Sequence, residues 1–280
     1  MRARADLLEP LIATALTAGR AILEIAAGDV GATFKSDRSP VTLADARAEA
    51  IILSELSLDF PGIPVVAEEA VAAGHMPATL GRHFFLVDPL DGTREFLSGN
   101  GEYTVNIALI EAGSPIAGVV LAPALGEIFA GRVGEGARAG RIAEDGAIDW
   151  RPIGVRAAAP EVPLVVASRS HCGAETEVFL ERLGRHERIA AGSSLKFARL
   201  AEGAADLYPR LGRTMEWDTA AGEAVLRAAG GAVVGIDGHP LAYGRRDRGF
   251  AHPWFLAFGD PAIGARALAT IGPIAAATSG

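Results

Sequence analysis

Asp88-Pro89-Leu90-Asp91-Gly92-Thr93 follows directly on an apolar run, Phe84-Phe85-Leu86-Val87, and this junction decides how the rest of the chain is read. The apolar run predicts a buried strand. Pro89 disfavours helical geometry at Asp88, so the strand is expected to turn there. Gly92 permits the tight backbone needed to begin the next element. Two carboxylates three residues apart in such a turn converge on one point, with the Leu90 carbonyl as a further oxygen ligand. Thr93 is expected to open a helix over 94–97 whose free N–H groups suit a phosphate. Hard oxygen donors of this kind select Mg²⁺ or Mn²⁺ rather than zinc. The plain alternative is an Asp-Pro turn with an aspartate cap, a common loop motif.

Two other acidic segments have the same character. Glu68-Glu69 ends the apolar run Ile63-Pro64-Val65-Val66-Ala67, although adjacent carboxylates are more often a solvated loop. Trp217-Asp218-Thr219-Ala220-Ala221-Gly222 opens a small-residue helix over 219–229, where Asp218 fits an N-cap. A capping aspartate still has a second oxygen for a metal, so the two roles are compatible.

Working outward, apolar residues at helical spacing predict an amphipathic helix over 4–26, and a second helix over 42–58 follows the breaker Ser39-Pro40. Strands are expected over 104–110, 115–121 and 127–130, with Gly113-Ser114 as a hairpin turn. The glycine-rich stretch 131–140 and the proline-punctuated stretch 151–163 predict a boundary between two halves, 1–155 and 156–280. Beyond it strands (163–167, 188–190, 205–208, 232–236, 254–258) alternate with helices (175–183, 193–202, 219–229). The first half therefore reads as α+β and the second as α/β. The tail after Ile271 is expected to fray.

Half of the 280 residues are hydrophobic, enough for one large core or two packed halves. The net charge of −8 argues against a surface that coats nucleic acid, yet permits an anionic small substrate reached through bound cations. A single cysteine, Cys172, excludes an internal disulfide and a thiolate zinc site. There is no apolar run of about 18 residues, so no membrane span is expected. Asp6 and Glu9 interrupt any signal-peptide pattern. These features predict a soluble, cytoplasmic protein; peripheral association with the inner membrane and oligomeric state stay open.

Together, Glu68-Glu69, Asp88-Pro89-Leu90-Asp91-Gly92-Thr93 and Trp217-Asp218-Thr219-Ala220-Ala221-Gly222 resemble the signature of the inositol-monophosphatase superfamily. Lys35-Ser36 with Ser39-Pro40-Val41-Thr42 and Asp45 resembles its N-terminal segment, and Gly192-Ser193-Ser194 with Lys196 its substrate-side turn. Within the superfamily the chain is most similar to bacterial 3′(2′),5′-bisphosphate nucleotidases of the CysQ type. That likeness rests on Asn100-Gly101-Glu102-Tyr103-Thr104-Val105-Asn106, Ser168-Arg169-Ser170-His171 and Leu207-Tyr208-Pro209-Arg210. Ala70 departs from the type, which often carries a third acid there.

The resemblance implies a layered α/β sandwich (αβαβα, sugar-phosphatase type) with the site between the halves. It implies one Mg²⁺ held by Glu68, Asp88 and the Leu90 carbonyl, and a second held by Asp88, Asp91 and Asp218. A third, weaker ion would sit near Glu68 or Glu69. Shared ligation by Asp88 suits ions roughly 3.5–4 Å apart, which clamp the entering and leaving oxygens. Glu68 and Thr93, the latter oriented by Asp45, would activate water. Lys35, Gly92, Thr93, His171, Ser194, Lys196, Arg210 and Asp218 would contact substrate. Near Arg210 the inositol enzymes carry an acid that accepts from the polyol; a guanidinium there suits a second phosphate. The implied reaction is hydrolysis of adenosine 3′,5′-bisphosphate to AMP and phosphate, linked to sulfate assimilation and sensitive to lithium. Inositol monophosphatase is the alternative within the superfamily. A catalytically silent, phosphate-binding regulator is the alternative of another class, and the intact ligand set weighs against it.

Overall fold

The computed structural model describes residues 7–28, 33–34, 40–156, 158–168 and 173–278. The chain opens with α1 (Leu8–Ala26), a short antiparallel pair β1 (Thr33–Phe34) and β2 (Pro40–Val41), and α2 (Leu43–Asp59). Leu11, Ile12, Ala15, Ala18 and Ile22 of α1 are buried, the i, i+3, i+4 stripe that makes an amphipathic helix. Thr42 caps α2: its hydroxyl accepts from Ala44 N–H, while Asp45 accepts from Thr42 N–H.

β3 (Val65–Ala67), α3 (Glu68–Ala72), β4 (His83–Asp91), α4 (Thr93–Ser98), β5 (Thr104–Glu111), β6 (Ser114–Ala122), β7 (Glu127–Arg132), β8 (Gly136–Ile142) and β9 (Ile148–Ile153) follow. Their strands form one seven-stranded sheet in chain order, parallel between β3 and β4 and antiparallel elsewhere. Next come β10 (Leu164–Ser168), α5 (Ala174–Leu183), β11 (Glu187–Ala191), α6 (Leu195–Ala201), β12 (Leu207–Arg210), α7 (Glu216–Ala228), β13 (Ala232–Gly235), β14 (Phe255–Phe258) and α8 (Pro261–Thr278). These strands form a five-stranded sheet in the order β11-β10-β12-β14-β13.

Strand alternation sorts the side chains into three cores. Val105, Ile107 and Leu109 of β5 pack with α1 and α2 on one face of the first sheet. Ala108 and Ile110 face the other way, where α6 and α7 fill the space between the two sheets. Val165, Leu207, Leu256 and Phe258 pack against α5 and α8 on the far face of the second sheet. The layers therefore run helix, sheet, helix, sheet, helix: an αβαβα sandwich. The central layer needs close approach. A Cβ on Gly118 of β6 would lie 2.5 Å from the Ala221 carbonyl oxygen of α7, so only glycine lets this helix settle on the sheet.

Several expectations are corrected. β4 does not turn at Asp88 but runs on to Asp91, its pairing with β5 shifting register between Asp88 and Asp91. The extended geometry that Pro89 imposes on Asp88 is itself strand geometry, and the irregular register absorbs the missing proline N–H. The glycine-rich stretch is no boundary: β7 and β8 form a hairpin there, and β9 completes the sheet. Asp218 is not an N-cap but the third residue of α7, which begins at Glu216. Arg210 lies inside β12 rather than after it. The tail after Ile271 continues as α8 to Thr278, in keeping with the high helix propensity of its three consecutive alanines, 275–277.

Candidate active site

Glu68 opens α3 at the end of β3, and Asp88 and Asp91 lie in the last part of β4. β3 and β4 are parallel neighbours with Ala67 opposite Val87, so Glu68 and Asp88 leave the sheet side by side. Asp218 arrives from the first turn of α7 in the central layer. Its Oδ2 accepts from Met215 N–H at 2.9 Å and from the Thr214 hydroxyl at 3.1 Å, which fixes the carboxylate as the third-residue half of a capping box. Glu68, Asp88 and Asp218 each present a carboxylate oxygen, and the three oxygens lie within 4.8 Å of one another.

That convergence is costly for the bare chain. Asp88 is buried, and burial together with the negative charge of Glu68, Asp91, Asp218 and Asp45 holds its carboxyl well above the ordinary range. The Leu90 N–H offsets this in part, donating to Asp88 Oδ1 at 3.0 Å. Burial first, then Asp91 and Glu68, push Asp218 up to about 7, against its hydrogen bonds from Met215 and Thr214. Carboxylates driven together in this way fit a cation bound among them, and an all-oxygen donor set fits a hard one.

Gly92 sits between strand and helix with φ 90°, and a Cβ there would lie 3.2 Å from Glu95 Oε2. Glycine is therefore required by the positive φ, and the space for a Cβ is tight as well. The Thr93 hydroxyl lies 3.4 Å from Asp45 Oδ1 and 3.5 Å from the Leu90 carbonyl oxygen. Asp45 is buried, its Oδ2 accepting from Thr42 N–H at 2.7 Å and the Thr42 hydroxyl at 2.6 Å. Thr93 thus faces an acceptor held rigidly by the cap of α2.

A cavity of about 280 Å³ opens over these groups. Glu68, Asp91, Gly92, Thr93 and Asp218 line one side, and Lys196, Tyr208 and Arg210 also line it. Lys196 is buried, donates to the Ser193 carbonyl at 2.5 Å and lies 5.4 Å from the Tyr208 ring centre. Burial pulls its ammonium down to about 8, although Asp91 works the other way. Arg210 donates through Nη2 to the Arg213 carbonyl at 2.8 Å, and its buried Nε has no hydrogen-bond partner among the described residues.

The fold thus gathers Glu68, Asp88, Asp91, Gly92, Thr93, Lys196, Arg210 and Asp218 around one site, with Asp45 joined through Thr93. Ser194 reaches it by donating toward the Asp218 carbonyl at 2.7 Å. Leu90 is buried behind the turn. Glu69 does not line the cavity; its N–H donates to Glu49 Oε2 at 2.8 Å. Lys35 and His171, like Cys172, lie outside the described residues. Sequence reasoning did not single out Ser193, Thr214 or Tyr208. Thr214, four residues before Asp218, is a capping signal visible only once the start of α7 is known. Tyr208 stood in a quoted motif but carries no charge to draw notice.

The sequence pattern of the inositol monophosphatase family matches residues 4–260. The 3′(2′),5′-bisphosphate nucleotidase CysQ of Escherichia coli K12 is 43% identical over 251 residues, 89% of this chain and 98% of that protein. CysQ of Buchnera aphidicola is 38% identical over 244 residues, covering 86% and 89%. Among solved structures, CysQ from Bacteroides thetaiotaomicron superposes with a TM-score of 0.73 at 37% identity, covering 89% of this chain and 96% of that one. An IMPase of Thermotoga maritima superposes with a TM-score of 0.76 at 25% identity, covering 95% and 96%. This chain belongs to the inositol monophosphatase family.

Proposed function

We propose that the chain is a Mg²⁺-dependent 3′(2′),5′-bisphosphate nucleotidase that hydrolyses adenosine 3′,5′-bisphosphate to AMP and phosphate. One observation carries this: the cavity that meets the acidic trio is also lined by cationic side chains, Arg94 beside the phosphate-binding turn and Lys196 and Arg210 on the other wall. Such a site has one place for a phosphate to be cleaved and another for a phosphate to be kept. The nucleotidase activity named for the Escherichia coli relative supports the same substrate. A polyol substrate would call for hydrogen-bond acceptors where Lys196 and Arg210 offer only donors.

Glu68, Asp88 and the Leu90 carbonyl would hold one Mg²⁺, with Asp88, Asp91 and Asp218 holding a second and Glu68 or Glu69 a weaker third. When bound, the ions supply positive charge against the phosphate and raise the acidity of water. The protein does the rest by position. The Thr93 hydroxyl accepts a hydrogen bond from the attacking water and gives its own hydrogen to Asp45 Oδ1. Asp45 in turn is kept from moving by Thr42. N–H groups of Gly92 and Thr93 hold the phosphoryl oxygens, while Lys196 and Arg210, with Ser194, hold the phosphate that stays; the family likeness implies Lys35 and His171 as further substrate contacts. No covalent nucleophile is required. Phosphate-monoester hydrolysis is so slow uncatalysed that neutralisation and positioning must supply roughly 20 kcal/mol of transition-state stabilisation.

We read the chain as two halves, 1–155 carrying most metal ligands and 156–280 carrying Asp218 and the phosphate-holding cations. Among the described residues no helix is long and apolar enough to cross a membrane, and we place the enzyme in the cytoplasm, acting in sulfate assimilation. The test is phosphate release from adenosine 3′,5′-bisphosphate with Mg²⁺ and after chelation, the product separated by chromatography. Mg²⁺-dependent appearance of 5′-AMP is expected. Release that survives chelation, or 3′-AMP as product, would overturn the assignment.

A further inference from the structure

Ser193 stands out on backbone grounds: it is a non-glycine residue with φ 49°, in the left-handed region that L side chains rarely adopt. It lies between β11 and α6, in the half of the chain opposite the carboxylates of β4. Its hydroxyl is 2.5 Å from Asp91 Oδ2 and 2.5 Å from the Thr104 hydroxyl. Thr104 lies 3.1 Å from the Asn106 side-chain amide. Thr104 and Asn106 are buried on β5, with Asn106 paired opposite Asp88.

Counting hydrogens sets the direction of this chain. Ser194 also approaches Asp91 Oδ2, at 3.2 Å, but has one hydroxyl hydrogen and a nearer acceptor in the Asp218 carbonyl at 2.7 Å. The donor to Asp91 is therefore Ser193. Having given its hydrogen to a carboxylate, Ser193 can only accept from Thr104, so the Thr104 hydrogen is used there. Thr104 then needs a donor from Asn106. As placed, Asn106 Oδ1 faces the Thr104 hydroxyl, which leaves no hydrogen between the two oxygens once Thr104 donates to Ser193, and Asn106 Nδ2 is buried with no partner among the described residues; turning the amide end for end puts Nδ2 on Thr104 and uses that donor. Every hydrogen then runs one way, from Asn106 through Thr104 and Ser193 to Asp91.

We propose that Ser193 is a positioning residue for the metal site, holding Asp91 Oδ2 at the end of a one-way hydroxyl relay so that Oδ1 is presented to a cation. Oδ1 takes no hydrogen bond within the described residues, and Asp91 lines the cavity with Glu68 and Asp218. The same residue serves the other wall, because its carbonyl accepts from Lys196. Gly192 beside it donates to Glu102 Oε2 at 2.9 Å, which seats the turn on the first half. Left-handed strain at Ser193 thus aims hydroxyl and carbonyl at two different subsites. This rests on the cation-site reading above.

The test is the Mg²⁺ dissociation constant by calorimetry, with kcat and KM at saturating Mg²⁺, in wild type, Ser193→Ala, Thr104→Val and Thr104→Ser. Removing an outer partner of a metal ligand costs typically about 10- to 100-fold in metal affinity. Ser193→Ala should weaken Mg²⁺ by that range while kcat at saturating metal falls much less. Thr104→Val, which keeps shape but removes the relay's hydrogen, should weaken it in the same direction, and Thr104→Ser should restore it. Metal-free melting temperatures check that each variant is folded, and Thr104→Val carries the test alone where Ser193→Ala does not fold. Folded variants with Mg²⁺ affinity within twofold of wild type would overturn the proposal and leave the cation site standing. A wild type that binds no Mg²⁺ would overturn both.

Discussion

Lys196→Met separates what the buried ammonium does for substrate from what it does to the fold. The side chain is 5% exposed, and its pKa lies at about 8 instead of the ordinary 10.5. At 1.36 kcal/mol per unit, that gap disfavours the charged form by about 3 kcal/mol at neutral pH. Methionine fills a similar volume without the charge. It gives up the hydrogen bond to the Ser193 carbonyl, worth about 1 kcal/mol, and the contact with Tyr208, worth about 0.5–1 kcal/mol. The substrate-free variant should therefore be about 1 kcal/mol more stable at pH 7, raising the melting temperature by about 2–4 °C. The pH dependence has a definite sign. Between about 8 and 10.5 the unfolded chain keeps a proton that folded Lys196 has released, so wild-type stability rises with pH and the gap to the variant closes. On substrate the effect reverses. Losing a charge-assisted contact with phosphate should cut kcat/KM for adenosine 3′,5′-bisphosphate by roughly 10- to 100-fold, with inositol 1-phosphate little changed. Thermal melts from pH 7 to 10 and steady-state kinetics on both substrates read this out. A variant that melts more than about 5 °C lower, or loses equally on both substrates, would refute the reasoning.

Arg210→Ala should show the same substrate split with a smaller stability effect, checked by kcat/KM on the same pair; equal losses would return Arg210 to a surface role. Asp91→Asn should cut turnover at saturating Mg²⁺ by about 100-fold or more while circular dichroism stays wild type, because the residue lines the site rather than filling a core. For Asp88 and Asp218, with pKa values raised in the fold, the folded chain holds protons the unfolded chain has lost, so metal-free stability should fall as pH climbs from about 4 toward 7. Mg²⁺ competes with those protons, so its stabilising shift in melting temperature should grow across pH 5.5–7.5; a constant shift would count against it. Lithium should inhibit where sodium at equal ionic strength does not, since a small cation with less charge can occupy an oxygen site meant for Mg²⁺.

Glu68 and Asp88 were legible because each ends an apolar run, and a chain that buries Val66 and Val87 has little choice about where these acids emerge. The layered sandwich came from the family resemblance, while period-3.6 spacing marked α1 as an amphipathic helix. What escaped depends on contacts between distant segments. The stretch 131–140 looks like a linker because glycine lacks local preference, yet Gly131 and Gly140 are required where neighbouring side chains press on the sheet. The role of Ser193 depends on a residue 102 positions away in the chain, and nothing local marks its left-handed backbone. Asp218 looks like a cap because capping chemistry is the same from N-cap and from N3; only the start of α7 at Glu216 distinguishes them.

Substrate choice is decided by one comparison: kcat/KM for adenosine 3′,5′-bisphosphate, inositol 1-phosphate and fructose 1,6-bisphosphate, measured on the wild-type protein with saturating Mg²⁺. Lys196 and Arg210 across from an acidic trio predict that adenosine 3′,5′-bisphosphate is preferred over both others by at least about tenfold, the smallest effect expected of one charge-assisted contact. Equal or better turnover of inositol 1-phosphate would contradict that account and assign the cavity to a polyol phosphate.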